Sequence, residues 1–212
     1  MFSQRSSDHA SVAIGPVRCA WRPHRHGTPA ETQVRPWLAQ QLKVDIADLR
    51  FDRDARGRPQ LGSGHGPVDA SWSHSGDSLL VALGRGVRVG VDLELLRPHP
   101  RAQRLAERFF TAAEAAALAA LPDATRESAF VQLWCAKEAV LKAHGVGLAF
   151  GLHRLAFARD GDDWRLVDCD PALGSVAAWT LRAFVPASGY LAALAWRPLQ
   201  VGAPHGRDRS SR

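Results

Sequence analysis

The most regular alternation of apolar and polar positions in the chain runs from Val87 to Leu95. Apolar side chains occupy every second position, as in a β-strand that buries one face. These apolar positions are Val87, Val89, Val91, Leu93 and Leu95. The opposite face carries Arg88, Gly90, Asp92 and Glu94. The pattern predicts a strand with two carboxylates side by side, next to a glycine that leaves room for something to approach.

A helical pattern follows over residues 130–148. Large side chains recur there at steps of four and three, so they share one helical face. They are Phe130, Trp134, Lys137, Leu141 and His144. Glu138 and Lys142 form an i,i+4 pair beside that face, and Gly145 is the predicted end of the helix. A carboxylate and two lysines on one rigid, apolar element suit the binding of a metal ion and a phosphate.

Shorter patterns predict the other elements of the first half. A first strand is predicted over residues 11–21, interrupted by Gly15 and Pro16. A capping box at Thr28 and Glu31 predicts a helix towards residue 42, with a kink or an early break at Pro36. Residues 50–69 are rich in Gly, Pro, Asp and Arg and are predicted to be loop. Residues 71–77 are predicted to be a further loop, which leads into a strand over residues 79–83.

The second half is predicted to begin with a basic helix over residues 101–110. A capping box at Thr111 and Glu114 then opens an alanine-rich helix that Pro122 closes. This box explains Glu114 structurally and leaves a second role open. Strands are predicted over residues 152–158, 164–168, 176–185 and 190–196.

Composition limits the class of protein. A chain of 212 residues with 46% hydrophobic residues and seven Trp can bury a substantial core. Its formal charge of +6 favours an anionic partner, which could be a phosphate, a nucleic acid or an acidic protein. Its three Cys are widely separated, so neither a disulfide framework nor a zinc knuckle is predicted. No long apolar run and no signal-peptide core are present, and the protein is predicted to be cytoplasmic.

The pair Asp92 and Glu94 is the first candidate for chemistry. Carboxylate oxygens are the hard ligands that Mg²⁺ prefers. The alternative is an ordinary solvent-facing strand edge, where acidic residues are common. Like charges this close require a counter-charge in either case.

Three further motifs could bind a phosphate or could be plain polar loops. Arg22 and Arg25 belong to a basic cluster that follows the first predicted strand. Arg58 is presented by a tight Gly-Arg-Pro turn. Ser73 and His74 lie in a Ser-His-Ser loop, where they could bind a nucleotide phosphate or merely cap a turn.

Four motifs in fixed order carry a resemblance to a known family: GRP, SHS, GVDLE and WCAKEAVLK. The chain resembles the 4'-phosphopantetheinyl transferases of the larger, surfactin-synthetase-activating type over about residues 50–150. The pattern of that family is a GKP-like turn, an SHS loop, G-(I/V)-D-(I/L)-E and W-x-x-K-E-A-x-x-K. Such enzymes move 4'-phosphopantetheine from coenzyme A to a serine of an apo carrier protein and release adenosine 3',5'-bisphosphate.

The resemblance implies roles for individual residues. It implies Mg²⁺ bound by Asp92, Glu94 and Glu138. It implies that Glu138, Lys137 and His74 are catalytic, with Glu138 accepting the serine proton directly or through a metal-bound water. The implied contacts to coenzyme A are Arg58, Ser73, His74, Lys137 and Lys142, with Arg22 and Arg25 in place of the basic residues that hold the 3'-phosphate.

The resemblance also implies the fold and the partners. The expected fold is α+β, a pseudo-dimer of two similar α/β subdomains with the active site in the cleft between them. We place the subdomains at residues 1–98 and 99–198, divided at the RPHP linker, and predict a mobile tail over residues 199–212. The expected partners are coenzyme A and an acidic acyl or peptidyl carrier protein, with no nucleic acid and no membrane, and the enzyme is expected to be a monomer. The motifs do not select one carrier.

Two positions depart from the family pattern. Ala70 and Ser71 stand where the family usually has Phe-Asn, so that part of the site is expected to differ in shape. Cys135 stands where a small hydroxyl residue is frequent, and we predict that it packs rather than reacts, because no base is placed for it.

Two functions of other classes also fit some of the residues. A basic nucleic-acid-binding module would account for the charge, but not for Asp92, Glu94 and Glu138. A metal-dependent phosphoesterase would use the same carboxylates, with water as the nucleophile.

Overall fold

The computed structural model describes residues 10–62 and 64–199, which form four helices and eleven strands. The helices are α1 (Ala30–Leu42), α2 (Ala102–Phe109), α3 (Ala112–Ala119) and α4 (Asp123–His144). The strands of the first half are β1 (Ala10–Ile14), β2 (Val17–Pro23), β3 (Phe51–Arg53), β4 (Pro59–Leu61), β5 (Val68–Ser75) and β6 (Ser78–Arg85). Those of the second half are β7 (Val87–Leu95), β8 (Leu155–Asp160), β9 (Asp163–Cys169), β10 (Thr180–Phe184) and β11 (Tyr190–Pro198). The predicted α+β class is confirmed.

The strands form two main sheets and two small hairpins. The sheets have the orders β1-β2-β6-β5 and β10-β11-β7, and the hairpins are β3-β4 and β8-β9. A similar succession occurs twice along the described part of the chain, from β2 to β6 and from β7 to β11: a strand, a helical segment, a hairpin and two further strands. The helical segment is α1 alone in the first case and α2, α3 and α4 in the second. In both cases the first strand pairs with the last, which gives the matching orders β2-β6-β5 and β7-β11-β10.

The alternation over Val87–Leu95 is confirmed as strand β7. Val89, Val91 and Leu93 are fully buried and pack against the β2–β6 sheet, which explains why this face is apolar throughout. On the opposite face, α4 crosses β7 at Gly90. A Cβ there would collide with the carbonyl oxygen of Ala139 and the amide of Ala143. The absence of a side chain at Gly90 therefore allows α4 to pack directly against β7, and this close packing sets the distance between α4 and the strand that carries Asp92 and Glu94.

Helix α4 begins earlier than its apolar pattern. It begins at Asp123, directly after Pro122. The sequence pattern did not reveal this start because the first turns are largely exposed and polar and carry no apolar periodicity. Gly145 ends it in the left-handed conformation, as predicted. The Thr111–Glu114 capping box of α3 is also confirmed, by both of its reciprocal hydrogen bonds.

Several predictions for the first half were wrong in detail. The predicted strand over residues 11–21 is the hairpin β1-β2, and the region predicted to be loop over residues 50–69 contains the hairpin β3-β4. Helix α1 runs through Pro36 to Leu42 without the predicted break. No side-chain capping bond forms at its start, because the N-cap residue is Pro29 and not Thr28; Glu31 pairs with Arg35 and Arg53.

Two of the predicted C-terminal strands are shorter than expected. Residues 152–154 and 176–178 form single 3-10 turns, and the strands β8 and β10 begin after them. The predicted mobile tail lies outside the described residues, apart from Leu199. No helix in the described part of the chain is both long and apolar enough to cross a membrane.

The Ser-His-Ser motif lies in strand β5, not in a loop, and it joins the two main sheets. Three backbone amides of β7 donate to side chains of β5: Val89 to Asp69 (2.8 Å), Val91 to Ser71 (3.1 Å) and Leu95 to Ser75 (3.1 Å). Each partner lies 20 residues away, so the two strands run in the same direction in constant register. We call this line of contacts the β5–β7 junction. Because β7 pairs with β11, the sheet pairing also crosses the predicted subdomain boundary at residue 98.

Candidate functional site

One lysine from α4 joins the two sheets at the centre of the site. Lys142 Nζ lies 2.6 Å from Asp92 Oδ1 and 2.9 Å from Ser73 Oγ. Ser73 Oγ in turn donates to Asp92 Oδ1 at 2.9 Å. The structure therefore brings together residues of the SHS, GVDLE and KEA motifs, which are up to 69 residues apart in sequence. Asp92 and Ser73 are buried, and about a third of the Lys142 side chain is exposed.

Two more carboxyl groups line the same site. Burial, and to a smaller extent the charges of Asp92 and Glu94, raise the pKa of Glu138 to about 7, against the opposing effect of Lys142. Burial and Asp92 also raise the pKa of Glu94, although Ser75 Oγ donates to Glu94 Oε2 at 2.7 Å and favours the charged form. Three carboxyl groups thus share one poorly hydrated region, and Lys142 is the cation in direct contact with it.

The donor set fits a divalent cation. Asp92 Oδ2 is buried and has no hydrogen-bond partner, so one oxygen stays free for a ligand. Three carboxylates that repel one another supply the hard oxygens that Mg²⁺ prefers. As the side chains stand, no three His, Cys, Asp or Glu residues among the described residues are grouped closely enough to hold a metal ion. Asp92, Glu94 and Glu138 therefore fit a divalent cation by the chemistry of their oxygens and by their charge.

His74 and Arg22 lie at the edge of the site. His74 is exposed and stacks on His24, with the ring centroids 4.2 Å apart. Burial, His24 and Lys142 lower the pKa of His74. Arg22 donates to the carbonyl of Gln33 at 3.1 Å, but its Nε and Nη2 atoms are buried without a partner, and burial lowers its pKa. Arg25 is exposed. Arg22 and His74 both flank Leu79 in the sheet, so they lie on one face of it.

Arg58 does not point into open space, which corrects the prediction that it reaches a phosphate directly. Its guanidinium forms a two-pronged ion pair with Asp69, at 2.9 and 2.6 Å. It also donates to the carbonyls of Lys142 (2.8 Å) and Val89 (3.0 Å). Every side of the group is therefore used to tie the β3-β4 hairpin to β5, β7 and the end of α4. Arg58 holds the backbone of Lys142 in place.

Lys137 is not part of the carboxylate cluster either, which corrects its prediction as a phosphate contact. Its side chain is fully buried and forms an ion pair with Glu114 at 2.8 Å. It also donates to the carbonyls of Leu152 and Leu155 at 2.9 and 2.5 Å. The physical reason is helix geometry, since neighbouring positions on a helix lie about 100° apart and Glu138 faces β7. Glu114 thus has the second role that the capping box left open.

Two concave regions flank the Lys142 centre. A cavity of about 280 Å³ is lined by the Arg56–Pro59 turn, by Ala70, Ser71 and Trp72 of β5, and by Leu141, Lys142, Gly145 and Gly147. A groove of about 370 Å³ adjoins Glu94 and is lined by Leu95, His99, Leu105, Phe130 and Trp134. Lys142 borders the first and Glu94 borders the second, so the charged centre lies between them.

Two contributing residues were not predicted as site residues. Asp69 holds Arg58, and Ser75 holds Glu94. Their signal was present in the sequence, because Asp69, Ser71, Ser73 and Ser75 alternate with period two and therefore share one strand face. Cys135 is buried, and burial together with Asp92 and Glu94 raises the pKa of its thiol well above the usual value. A raised thiol pKa fits the predicted packing role.

Comparison with known proteins gives a consistent result. The family model of the 4'-phosphopantetheinyl transferase superfamily matches residues 88–195. The chain is similar to the 4'-phosphopantetheinyl transferase HetI of Nostoc sp., with 34% identity over 182 residues, which are 82% of this chain and 73% of that protein. It is also similar to AcpT of Salmonella typhimurium (30% over 150 residues; 69% and 70%) and psf-1 of Bacillus pumilus (33% over 125 residues; 58% and 51%), both 4'-phosphopantetheinyl transferases.

Proposed function

The chain belongs to the 4'-phosphopantetheinyl transferase superfamily and is a transferase of 4'-phosphopantetheine, and we propose that its reaction takes place at Asp92, Glu94, Glu138 and Lys142. The donor is coenzyme A and the acceptor is a serine of an apo acyl or peptidyl carrier protein. The observation that carries this assignment is the contact of Lys142 with both Ser73 and Asp92, which unites three motifs of the family in one place.

Asp92, Glu94 and Glu138 would hold Mg²⁺. The free Asp92 Oδ2 supports this proposal because it leaves one oxygen available to a ligand, and the pKa values of Glu94 and Glu138, raised by burial and by neighbouring carboxylates, support it because a bound cation would favour their charged forms. When bound, the ion would stabilise negative charge on the pyrophosphate of coenzyme A. Ser75 contributes indirectly, since its hydroxyl orients Glu94.

Coenzyme A would bind beside this centre. The cavity next to Lys142 and Trp72 has the aromatic and apolar lining that suits an adenine ring, and Lys142 at its border suits the pyrophosphate. Ser73 and His74 lie close to Lys142 and would contact the phosphates. Arg22, with two buried nitrogens lacking partners, is a better candidate for the 3'-phosphate than the exposed Arg25. Arg58 would act by holding Lys142.

The chemistry assigns one task to each group. The serine hydroxyl of the carrier attacks the β-phosphorus of coenzyme A. A new P–O bond to serine forms, the P–O bond to the nucleotide breaks, and adenosine 3',5'-bisphosphate leaves with the bonding electron pair. Glu138 would accept the serine proton as general base, directly or through a water molecule. Lys142 stabilises the charge that develops on the phosphates.

We further propose that the two repeated successions of elements are the two halves of a pseudo-dimer. The matching strand orders β2-β6-β5 and β7-β11-β10 support this arrangement. On this basis the boundary lies near Gly86, between β6 and β7, and not at residue 98. The β5–β7 junction then joins the halves, and the site lies along it. A monomer in the cytosol remains our prediction, which size-exclusion chromatography of the purified protein would test for the oligomeric state.

Mass spectrometry of an apo carrier protein tests the function. Incubation with coenzyme A and Mg²⁺ should add one phosphopantetheine group to the carrier, and EDTA or Asp92→Ala should abolish the gain. The matched control is Asp48→Ala, which removes an exposed carboxylate far from the junction and should leave the gain unchanged. Absence of a gain with several different carriers would refute the assignment. Release of bisphosphate without a carrier would indicate a phosphoesterase instead.

A further inference from the structure

A second group of basic side chains surrounds the C-terminal end of α4. Arg88 of β7 and Arg197 of β11 stand directly opposite each other in the antiparallel pair. They share the sheet face that α4 covers at Gly90, and they lie just beyond the last turn of the helix. His144 is the last residue of that helix. Arg56, in the β3-β4 turn, is near enough to His144 to influence it.

Opposed arginines are an unfavourable cross-strand pair, because like charges directly opposite destabilise a sheet. Burial and the charge of Arg88 both lower the pKa of Arg197. Burial lowers the pKa of His144, and Arg197, Arg56 and Arg88 lower it further, against an opposing backbone contact with Ala172. Arg197 and His144 are therefore both affected by the positive charge of their neighbours.

The surrounding carboxylates do not balance this charge. Among the described residues, Asp69 is the acidic residue in contact with Arg88, but the distance is 3.7 Å and Asp69 already binds Arg58 at 2.6 and 2.9 Å. Asp54 lies on the other side of Arg58. The end of α4 contributes about half a negative charge. The four arginines at positions 56, 58, 88 and 197 thus exceed Asp54, Asp69 and the helix end by about 1.5 charges.

The donors of this group are only partly used. His144 Nδ1 is buried and has no hydrogen-bond partner. Arg197 donates to the carbonyl of Leu173 at 3.2 Å and lies over the ring of Trp179, which fixes its position and leaves further N–H groups available. The Arg88 side chain is about a third exposed, so the group can be reached from solvent. Arg88 and Arg197, opposite each other on β7 and β11, and His144 at the end of α4 offer N–H donors from neighbouring positions, and guanidinium forks suit phosphate oxygens.

We propose that Arg88, Arg197 and His144 form a binding site for a phosphate group, separate from the carboxylate centre at Asp92, with Arg56 between this site and the cavity assigned to coenzyme A. The two sites lie at opposite ends of the same strand face, since Arg88 begins β7 and Asp92 and Glu94 end it. The ligand is inorganic phosphate or the phosphate of a monoester, which share this chemistry. Binding would neutralise the opposed arginines and so stabilise the pairing of β7 with β11.

Titration with phosphate at constant ionic strength tests the proposal. The protein is treated with EDTA and saturated with coenzyme A, so that phosphate cannot report on the coenzyme site. Isothermal calorimetry should show one phosphate per chain, and the unfolding temperature should rise to a plateau. In Arg88→Gln the affinity should fall at least about tenfold, as expected for loss of a charge-assisted contact. The control Arg104→Gln, on the exposed face of α2, should respond like the wild type. Glycerol 3-phosphate in place of phosphate distinguishes a monoester site, where it binds, from a site for free phosphate, where it does not.

A second measurement separates an anion site from a structural contact. Without phosphate, Arg88→Gln should unfold at the same temperature as the wild type or higher, because the repulsion with Arg197 is relieved. His144→Asn provides a second variant that leaves both arginines in place and should also weaken phosphate binding. Full phosphate affinity in both variants would overturn the proposal, as would phosphate binding that competes with coenzyme A and disappears in Lys142→Ala. If coenzyme A itself does not bind, the assignment of Lys142 fails, while the comparison of Arg88→Gln with wild type still reports on this site.

Discussion

Replacing Glu138 by glutamine should make the metal-free protein more stable at the same time as it removes activity. In the folded protein, burial and Asp92 raise the pKa of Glu138 from 4.5 to about 7. A carboxyl group with a raised pKa does not change the free energy of unfolding at a pH where it is protonated in both the folded and the unfolded protein. As pH rises from 4.5 to 7, the unfolded chain ionises freely and the folded protein does not, so stability falls over that interval.

The size of the effect follows from the same pKa. Each pKa unit is worth about 1.4 kcal/mol, so ionisable Glu138 lowers stability by about 3 kcal/mol above pH 7. At pH 5 the difference is below about 1 kcal/mol. Glu138→Gln has nearly the same shape and cannot ionise, so it should exceed the wild type by these amounts.

The assay is urea unfolding in EDTA at pH 5 and pH 8, for the wild type, Glu138→Gln and the exposed control Glu107→Gln. The control should show no pH-dependent difference from the wild type. Added Mg²⁺ should stabilise the wild type by mass action and should stabilise Glu138→Gln much less. The reasoning is refuted if the free energy of unfolding of Glu138→Gln exceeds that of the wild type by no more at pH 8 than at pH 5. Unchanged turnover in this variant would remove Glu138 as ligand and base.

Other substitutions probe the supports of the site. Lys142→Ala should weaken coenzyme A binding at least about tenfold in calorimetry, by loss of a charge-assisted phosphate contact, and an unchanged affinity would exclude that contact. Lys137→Met leaves the Glu114 carboxylate buried without its cation, so the free energy of unfolding should fall by about 3–5 kcal/mol in denaturation experiments. Adding Glu114→Gln should restore most of it, and a double variant that stays as unstable as Lys137→Met would contradict the pairing. Gly90→Ala should displace α4 from β7 and lower stability and turnover together, and wild-type values for both would show that α4 does not rest on Gly90.

The sequence predicted the elements whose patterns are strictly local. Strand β7, the capping box of α3 and the end of α4 at Gly145 all follow from residue spacing and are confirmed. The loop prediction for residues 71–77 was wrong because small polar residues are typical of turns. Here the hydroxyls of Ser71 and Ser75 instead accept hydrogen bonds from backbone amides of β7. That use of a serine depends on a partner strand, which local composition does not reveal.

The site was predicted less completely than the family. Glu138 and Lys142 both lie on the side of α4 towards Asp92, because an i,i+4 pair faces the same way, and their roles at the site remain predictions. Lys137 and Arg58 were assigned to phosphates because they belong to the same motifs. Both bind buried carboxylates instead, Glu114 and Asp69. Only the position of a distant acidic partner decides whether a lysine or arginine serves a ligand or the fold.

The β5–β7 junction has a consequence for natural variation. In an ordinary sheet, the hydrogen bonds between strands belong to the backbone, and substitutions rarely delete them. In the β5–β7 junction, each of the three hydrogen bonds is accepted by a side chain of β5, so a single substitution can remove one of them. Loss of the Ser71 hydroxyl would leave the Val91 amide without a partner, at a cost of about 1–3 kcal/mol, while the carboxylates keep their contacts. Loss of the Ser75 hydroxyl would also release Glu94, and loss of the Ser73 hydroxyl would leave Asp92 Oδ1 in contact with Lys142 alone. Variants at these three positions should therefore separate into stability defects and activity defects, although their wild-type residue is the same.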